Sequence, residues 1–180
     1  MRADAVCGVR ASTRRLVCAI FSLTLLHSPG KEIVRRHLSA HSMTARKSLP
    51  VTQDSLVLRT DFSNDSAWHL VCADVQAPVG DFRAFVECVS DPAFAGVTPA
   101  ELASLQPERS EHSFVFIVDG ITLSSPEHPI VVVDLIGEPG RWFRVVPREA
   151  WAVQNNLSLA NMDFVDFADS VDPDGVFRGF

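Results

Sequence analysis

The sequence has 180 residues, a formal net charge of -6 and 47% hydrophobic residues, which suits one domain with a real core and excludes wholesale disorder. The charge is split: residues 1–48 hold nine Lys or Arg against Asp4 and Glu32, whereas residues 49–180 hold seven arginines, no lysine and 20 carboxylates, a net of -13. A body that acidic repels phosphate backbones, so nucleic acid is not an expected ligand of the main domain, and a basic partner, a cation or plain solubility remains.

The basic leader comes first. "RRLVCAIFSLTLLHSPG" (14–30) sets two arginines before the apolar run Leu16–Leu26, which is shorter than the roughly 20 residues a membrane-spanning helix needs. Its basic-then-apolar order matches a secretory signal, but no small-x-small cleavage site follows, and a membrane role is not expected. Composition changes near Met43, where "MTARKSLP" reads as an ordinary N-terminus. Three readings stand: a dispensable leader, a signal or membrane-surface segment, and a structured extension. His37 and His41 share a helix face if the segment is helical, but no third ligand lies near, and no metal site is assigned.

In residues 49–180, "LVL" (56–58) predicts a strand. Trp68, Val71, Cys72 and Val75 form one stripe of an amphipathic helix, with Ser63, Asn64 or Asp65 to cap it and Pro78 and Gly80 to end it. "FRAFVECV" (82–89) predicts a strand. In "TPAELASL", Thr98 caps, Pro99 takes the first helical position and Glu101 the third. "SFVFIVDG" (113–120) and "PIVVVDLIG" (129–137) are apolar enough for strands buried on both faces. "EPGR" turns into "WFRVVP" (142–147), so these last two strands form a hairpin. Pro147 starts a helix through "REAWAVQNN", with Trp151 and either Val153 or Gln154 facing inward. "LSLAN" reads as a short extended piece. "MDFVDFADSV" reads as a helix with Phe164, Phe167, Ala168 and Val171 inward. The fold class is α+β: a single domain with a mixed, largely buried central sheet of about five strands and flanking helices.

The closing "DSVDPDGVFRGF" resembles a calcium loop and fails the test. With Gly175 at position six, position one is Ser170 and position twelve lies past the last residue. The alternative is an Asp-Pro-Asp-Gly turn in which Asp172 and Gly175 are structural. Val176, Phe177 and Phe180 then dock on the body, because their burial is favourable.

Chemistry-bearing motifs are few. The sequence contains no phosphate loop, dinucleotide fingerprint, HExxH or GxSxG, and no cofactor is assigned. Cys72 and Cys88 sit among apolar neighbours and read as buried free thiols in a reducing compartment, without zinc spacing. His69, His112 and His128 read as satisfied surface residues. Arg144 and Arg178, in aromatic-rich segments, are expected in structural ion pairs, with Asp134 or Asp163 as a partner.

"LVLRTDFSNDSAW", "FVECVSDPAFAG", "VVVDL", "FRVVP" and above all "NNLSLANMDFVDFADSVDPDGVFRGF" are similar to a family of small actinobacterial proteins known as domain of unknown function 6924, over roughly residues 49–180. The resemblance implies a cytoplasmic bacterial protein that stands as one domain. It implies no activity and no catalytic residue.

Two functions compete. The first is a non-enzymatic binding protein, inhibitor-like or immunity-like, whose acidic helix face of Asp163, Asp166 and Asp169 meets a basic protein. The second is a small enzyme or a ligand- or cation-binding domain using the strand-end aspartates Asp61, Asp119 and Asp134.

Overall fold

The computed structural model describes residues 48–107 and 112–180. The readings of the leader, including the run at 14–30 and the His37–His41 pair, fall outside these residues.

Ser-Leu-Val-Leu-Arg forms strand β1 (Ser55–Arg59), with every residue buried. Asn64 accepts a hydrogen bond from the Ala67 amide and starts helix α1 (Asp65–Gln76), which buries Trp68, Val71 and Val75. Strand β2 (Val86–Val89) is shorter than the expected 82–89. Its start is displaced because the Phe85 amide donates to the Gln154 side chain at 3.1 Å, and Phe82 stacks on Trp151 at 4.6 Å. Helix α2 (Pro99–Leu102) begins as its residues require: Glu101 accepts from both the amide and the hydroxyl of Thr98, at 2.9 and 2.8 Å.

Strands β3 (Phe114–Val118) and β4 (Ile130–Asp134) are buried throughout. Between them lies a short helix the sequence did not announce, α3 (Gly120–Ser124), capped by Asp119. The turn after β4 leads into β5 (Trp142–Val145), and β4 and β5 pair antiparallel. A short 3-10 turn at Pro147–Glu149 opens α4 (Ala150–Ser158), which buries Ala150, Val153 and Gln154 and leaves Trp151 half-buried. "LSLAN" is therefore not extended. Leu157 and Ser158 continue the helix, and Ala160, at φ 52°, closes it while the Asn161 amide reaches the Asn156 carbonyl at 2.9 Å. That is a Schellman-type end with alanine where glycine usually stands. Helix α5 (Phe164–Ala168) and the two-residue strand β6 (Val176–Phe177) complete the chain.

The sheet is mixed and has six strands, one more than expected, in the order β2-β1-β3-β4-β5-β6. β1 runs parallel to β2 and β3, β4 is antiparallel to β3 and β5, and β6 is parallel to β5. Alternation along the central strands divides the core in two. One face carries Val57, Phe116, Val132 and Phe143 beneath α1, α4 and Phe167. The other carries Leu56, Leu58, Ile117 and Val133 beneath Phe94, Val97 and Leu102. Each fully buried side chain of this kind stabilises by about 1.5–3 kcal/mol. No helix among the described residues is long and apolar enough to cross a membrane.

Candidate functional site

The strand-end aspartates separate. β1 and β3 are parallel neighbours, so Asp61 and Asp119 emerge at the same end of the sheet. β4 runs the other way and pairs its Asp134 with Phe114, the first residue of β3, which puts Asp134 at the opposite end. Asp61 and Asp119 are close enough to affect each other's charge. Asp61 accepts from the Ser63 amide at 2.8 Å and from the Ser63 hydroxyl, and these bonds hold its carboxyl below the usual value.

Asp119 is gripped harder. Its Oδ1 accepts from the Thr122 amide at 2.9 Å, and both its oxygens accept from Arg144, at 3.2 and 2.6 Å. Burial alone would raise its pKa; the bonds from Arg144 and Thr122 outweigh that and keep it ionised. Arg144 also donates to the Pro129 carbonyl at 2.9 Å. The partner of Arg144 is thus Asp119, not Asp134 or Asp163. Beside this pair lies a small hollow of about 140 Å³, walled by Val97, Ile117, Val131 and the exposed Trp142. Two engaged anions of this kind are poor proton donors at neutral pH.

Asp134 is buried and anchors the next turn, accepting from the amides of Ile136, Gly137 and Glu138 at 2.9, 3.0 and 2.7 Å. A methyl group on Gly137 would lie 3.0 Å from its Oδ2, so that glycine is what lets the backbone wrap the carboxylate. Above this turn opens a groove of about 460 Å³. It is lined by the apolar side chains of Phe114, Ile136, Leu157 and Phe164, with Asp163 and Glu138 also among its lining residues.

Asp163, Asp166 and Asp169 are all exposed, yet they are engaged differently. Asp166 turns back to accept from the Asp163 amide at 2.8 Å. Asp169 pairs with Arg141 at 2.8 Å, and Arg141 also holds Glu138 at 2.7 Å. Asp163 is the one of the three that lines the groove.

Arg178 gathers three carboxylates at the surface: Glu127, Asp172 and Asp174, at 2.7, 2.7 and 2.8 Å. Gly175, at φ 79°, closes the turn by donating to the Asp172 carbonyl at 2.8 Å. Val176 and Phe177 are buried behind it. Phe180 is not; it is 79% exposed, although its ring touches those of Phe167 and Phe177. A second cleft of about 470 Å³ lies beside Arg178, lined by Asp74, His128 and Arg148.

One residue escaped the sequence reading, Arg59, and two histidines it treated as satisfied surface residues have specific places. Arg59 is buried at the end of β1, bonded to Asp65 at 2.6 Å, and its guanidinium lies over Phe62. His112 is buried rather than superficial, 3.2 Å from the Pro50 carbonyl. His128 adopts φ 48° and lies 2.8 Å from the Thr122 carbonyl through Nδ1, which must therefore carry the proton. Among the described residues, no group of three or more His, Cys, Asp or Glu side chains is placed to hold a metal ion.

The fold defines a small α+β domain with a mixed sheet, and a groove lined by apolar side chains, Asp163 and Glu138 lies beside α5. Residues 54–180 match the family described as domain of unknown function (DUF6924), and the chain belongs to that family. No curated protein matches the chain.

Proposed function

We propose that this protein is a binding protein, and that the groove beside α5 takes a basic, partly apolar segment of a protein partner. The observation that carries this is the groove itself, lined by the apolar Phe114, Ile136, Leu157 and Phe164 together with the acidic Asp163 and Glu138. Apolar anchors within a charged rim are a common interface plan, in which the anchors supply affinity and the rim steers the encounter. The net charge of -13 over residues 49–180 favours a basic partner at longer range. An inhibitor-like or immunity-like role fits this plan. A cytoplasmic location belongs to the same proposal, supported by the free thiols Cys72 and Cys88. The enzymatic alternative has less support, because Asp61 and Asp119 are both engaged as anions.

The test is calorimetric titration with synthetic ten-residue peptides that alternate Arg and Leu, against Glu-Leu peptides of equal length. The basic peptide should bind, more weakly at high salt, and Asp163→Asn with Ile136→Ser should remove most of the affinity. Asparagine keeps the helix-starting preference at position 163, so the fold is spared. Equal binding by the original protein and the double variant would refute the groove as the site.

A further inference from the structure

Cys72 and Cys88 lie sixteen positions apart in sequence, and the fold brings their segments together: Gln76, one turn after Cys72, donates to the carbonyl of Val86, two residues before Cys88, at 3.4 Å. Cys72 sits on α1, four residues after Trp68. Cys88 sits on β2, paired with Val57 of β1, two residues after Val86 and so on the same side of the strand. Val57, Trp68 and Val86 belong to the layer in which α1 packs on the sheet, and both cysteines lie against that layer. Both are free thiols, and both are half-buried, so each residue keeps part of its surface in solvent.

The interaction between the two thiols pushes Cys72 up and holds Cys88 below the ordinary thiol value of 9.0. The pair therefore ionises as a unit, one S–H donating to the thiolate of the other. The Arg59 guanidinium adds a positive charge that acts on Cys72 and so favours a thiolate within the pair.

We infer that Cys72 and Cys88 form a redox-active dithiol that closes to a disulfide when the protein meets a hydroperoxide. The Cys88 thiolate attacks the distal peroxide oxygen, the O–O bond breaks, and the leaving oxygen takes a proton to become water or an alcohol. Cys88 is then a sulfenic acid. The Cys72 sulfur attacks the Cys88 sulfur, the S–O bond breaks, and the Cys72 proton leaves with the hydroxide as a second water. Two thiols are oxidised to one disulfide and one peroxide is reduced, and an exogenous thiol restores the pair by exchange. The new bond would tie α1 to β2, the edge strand of the sheet. This inference is independent of the groove and its partner.

The experiment uses the full chain with Cys7→Ser and Cys18→Ser, so that only the pair reports. After hydrogen peroxide treatment, the protein is denatured, alkylated with N-ethylmaleimide and weighed. The expected result is loss of both alkylations, return of both after dithiothreitol, and a tryptic species in which the peptide ending at Arg83 is joined to the one that follows. Alkylation of both cysteines after peroxide, or oxidation of Cys88 to sulfinic acid with no joined peptide, would overturn the inference. The order of steps has its own readout. With Cys72→Ser added, Cys88 should be labelled by dimedone at least about tenfold faster than Cys72 is with Cys88→Ser added. Equal labelling rates would reject Cys88 as the attacking sulfur.

Discussion

Arg144 and Asp119 meet across the full width of β4: one leaves β5, the other follows β3, and the guanidinium closes on the carboxylate at 2.6 and 3.2 Å. Because Arg144 is largely buried and Asp119 is partly exposed, the pair should count for more than a surface bridge and less than a fully buried one. Asp119→Asn preserves the cap on α3, since asparagine caps as well as aspartate. It should cost about 2–3 kcal/mol, between the ~1 of an exposed pair and the ~3–5 of a buried one. Urea denaturation measures this, and a cost under about 1 kcal/mol would show that the pair is effectively solvated.

The same carboxylate sets a pH dependence. Its folded pKa is depressed below the ordinary value of 3.8, so its contribution is complete above that value and is lost as pH falls through the lower folded one. The stability gap between the original protein and Asp119→Asn should be constant above about pH 5 and should close on acidification below that. A gap that widened in acid would contradict the sign of the shift.

Arg178→Ala should loosen the C-terminal strand. Removing this cation leaves Glu127, Asp172 and Asp174 facing one another without a counter-charge. The amides of Val176 and Phe177 should exchange faster, and the urea midpoint should fall. The effect should shrink at about 1 M salt, where the Debye length is only ~3 Å. Unchanged amide exchange and midpoint would mean that β6 is held by Val176 and Phe177 alone.

Phe167→Ala removes the fully buried hub of an aromatic cluster whose rings at Phe143, Phe177 and Phe180 lie 6.3, 5.3 and 5.5 Å away. The expected destabilisation is about 3–5 kcal/mol by chemical denaturation. A loss below about 1 kcal/mol would show that neighbouring rings refill the space.

The apolar strands and the first helix were legible because their signals are local. Trp68, Val71 and Val75 keep helical spacing, and β3 and β4 are unbroken apolar runs of strand length. The elements that were missed depend on partners distant in sequence. Nothing near Phe85 shows that Gln154 takes its amide, nor that Ala160 ends α4 in a conformation usually left to glycine. β6 is two residues long and exists only because β5 offers an edge. The site divides the same way. Asp61, Asp119 and Asp134 share one local pattern, but strand direction, which sequence does not state, sends Asp134 to the other end of the sheet. The pairing of Arg144 with Asp119 required the strand order.

Strands buried on both faces carry a hazard, since a slip by one residue would still leave apolar side chains against apolar neighbours. In β3 the two faces differ in bulk. Phe114 and Phe116 lie on the side covered by α1 and α4, whereas Val115 and Ile117 face the layer closed by Phe94 and Leu102. A displaced β3 would drive two benzene rings into the space of two aliphatic groups and leave voids behind. The difference in size works like the wards of a lock, admitting a single alignment of the sheet where hydrophobicity alone would accept two.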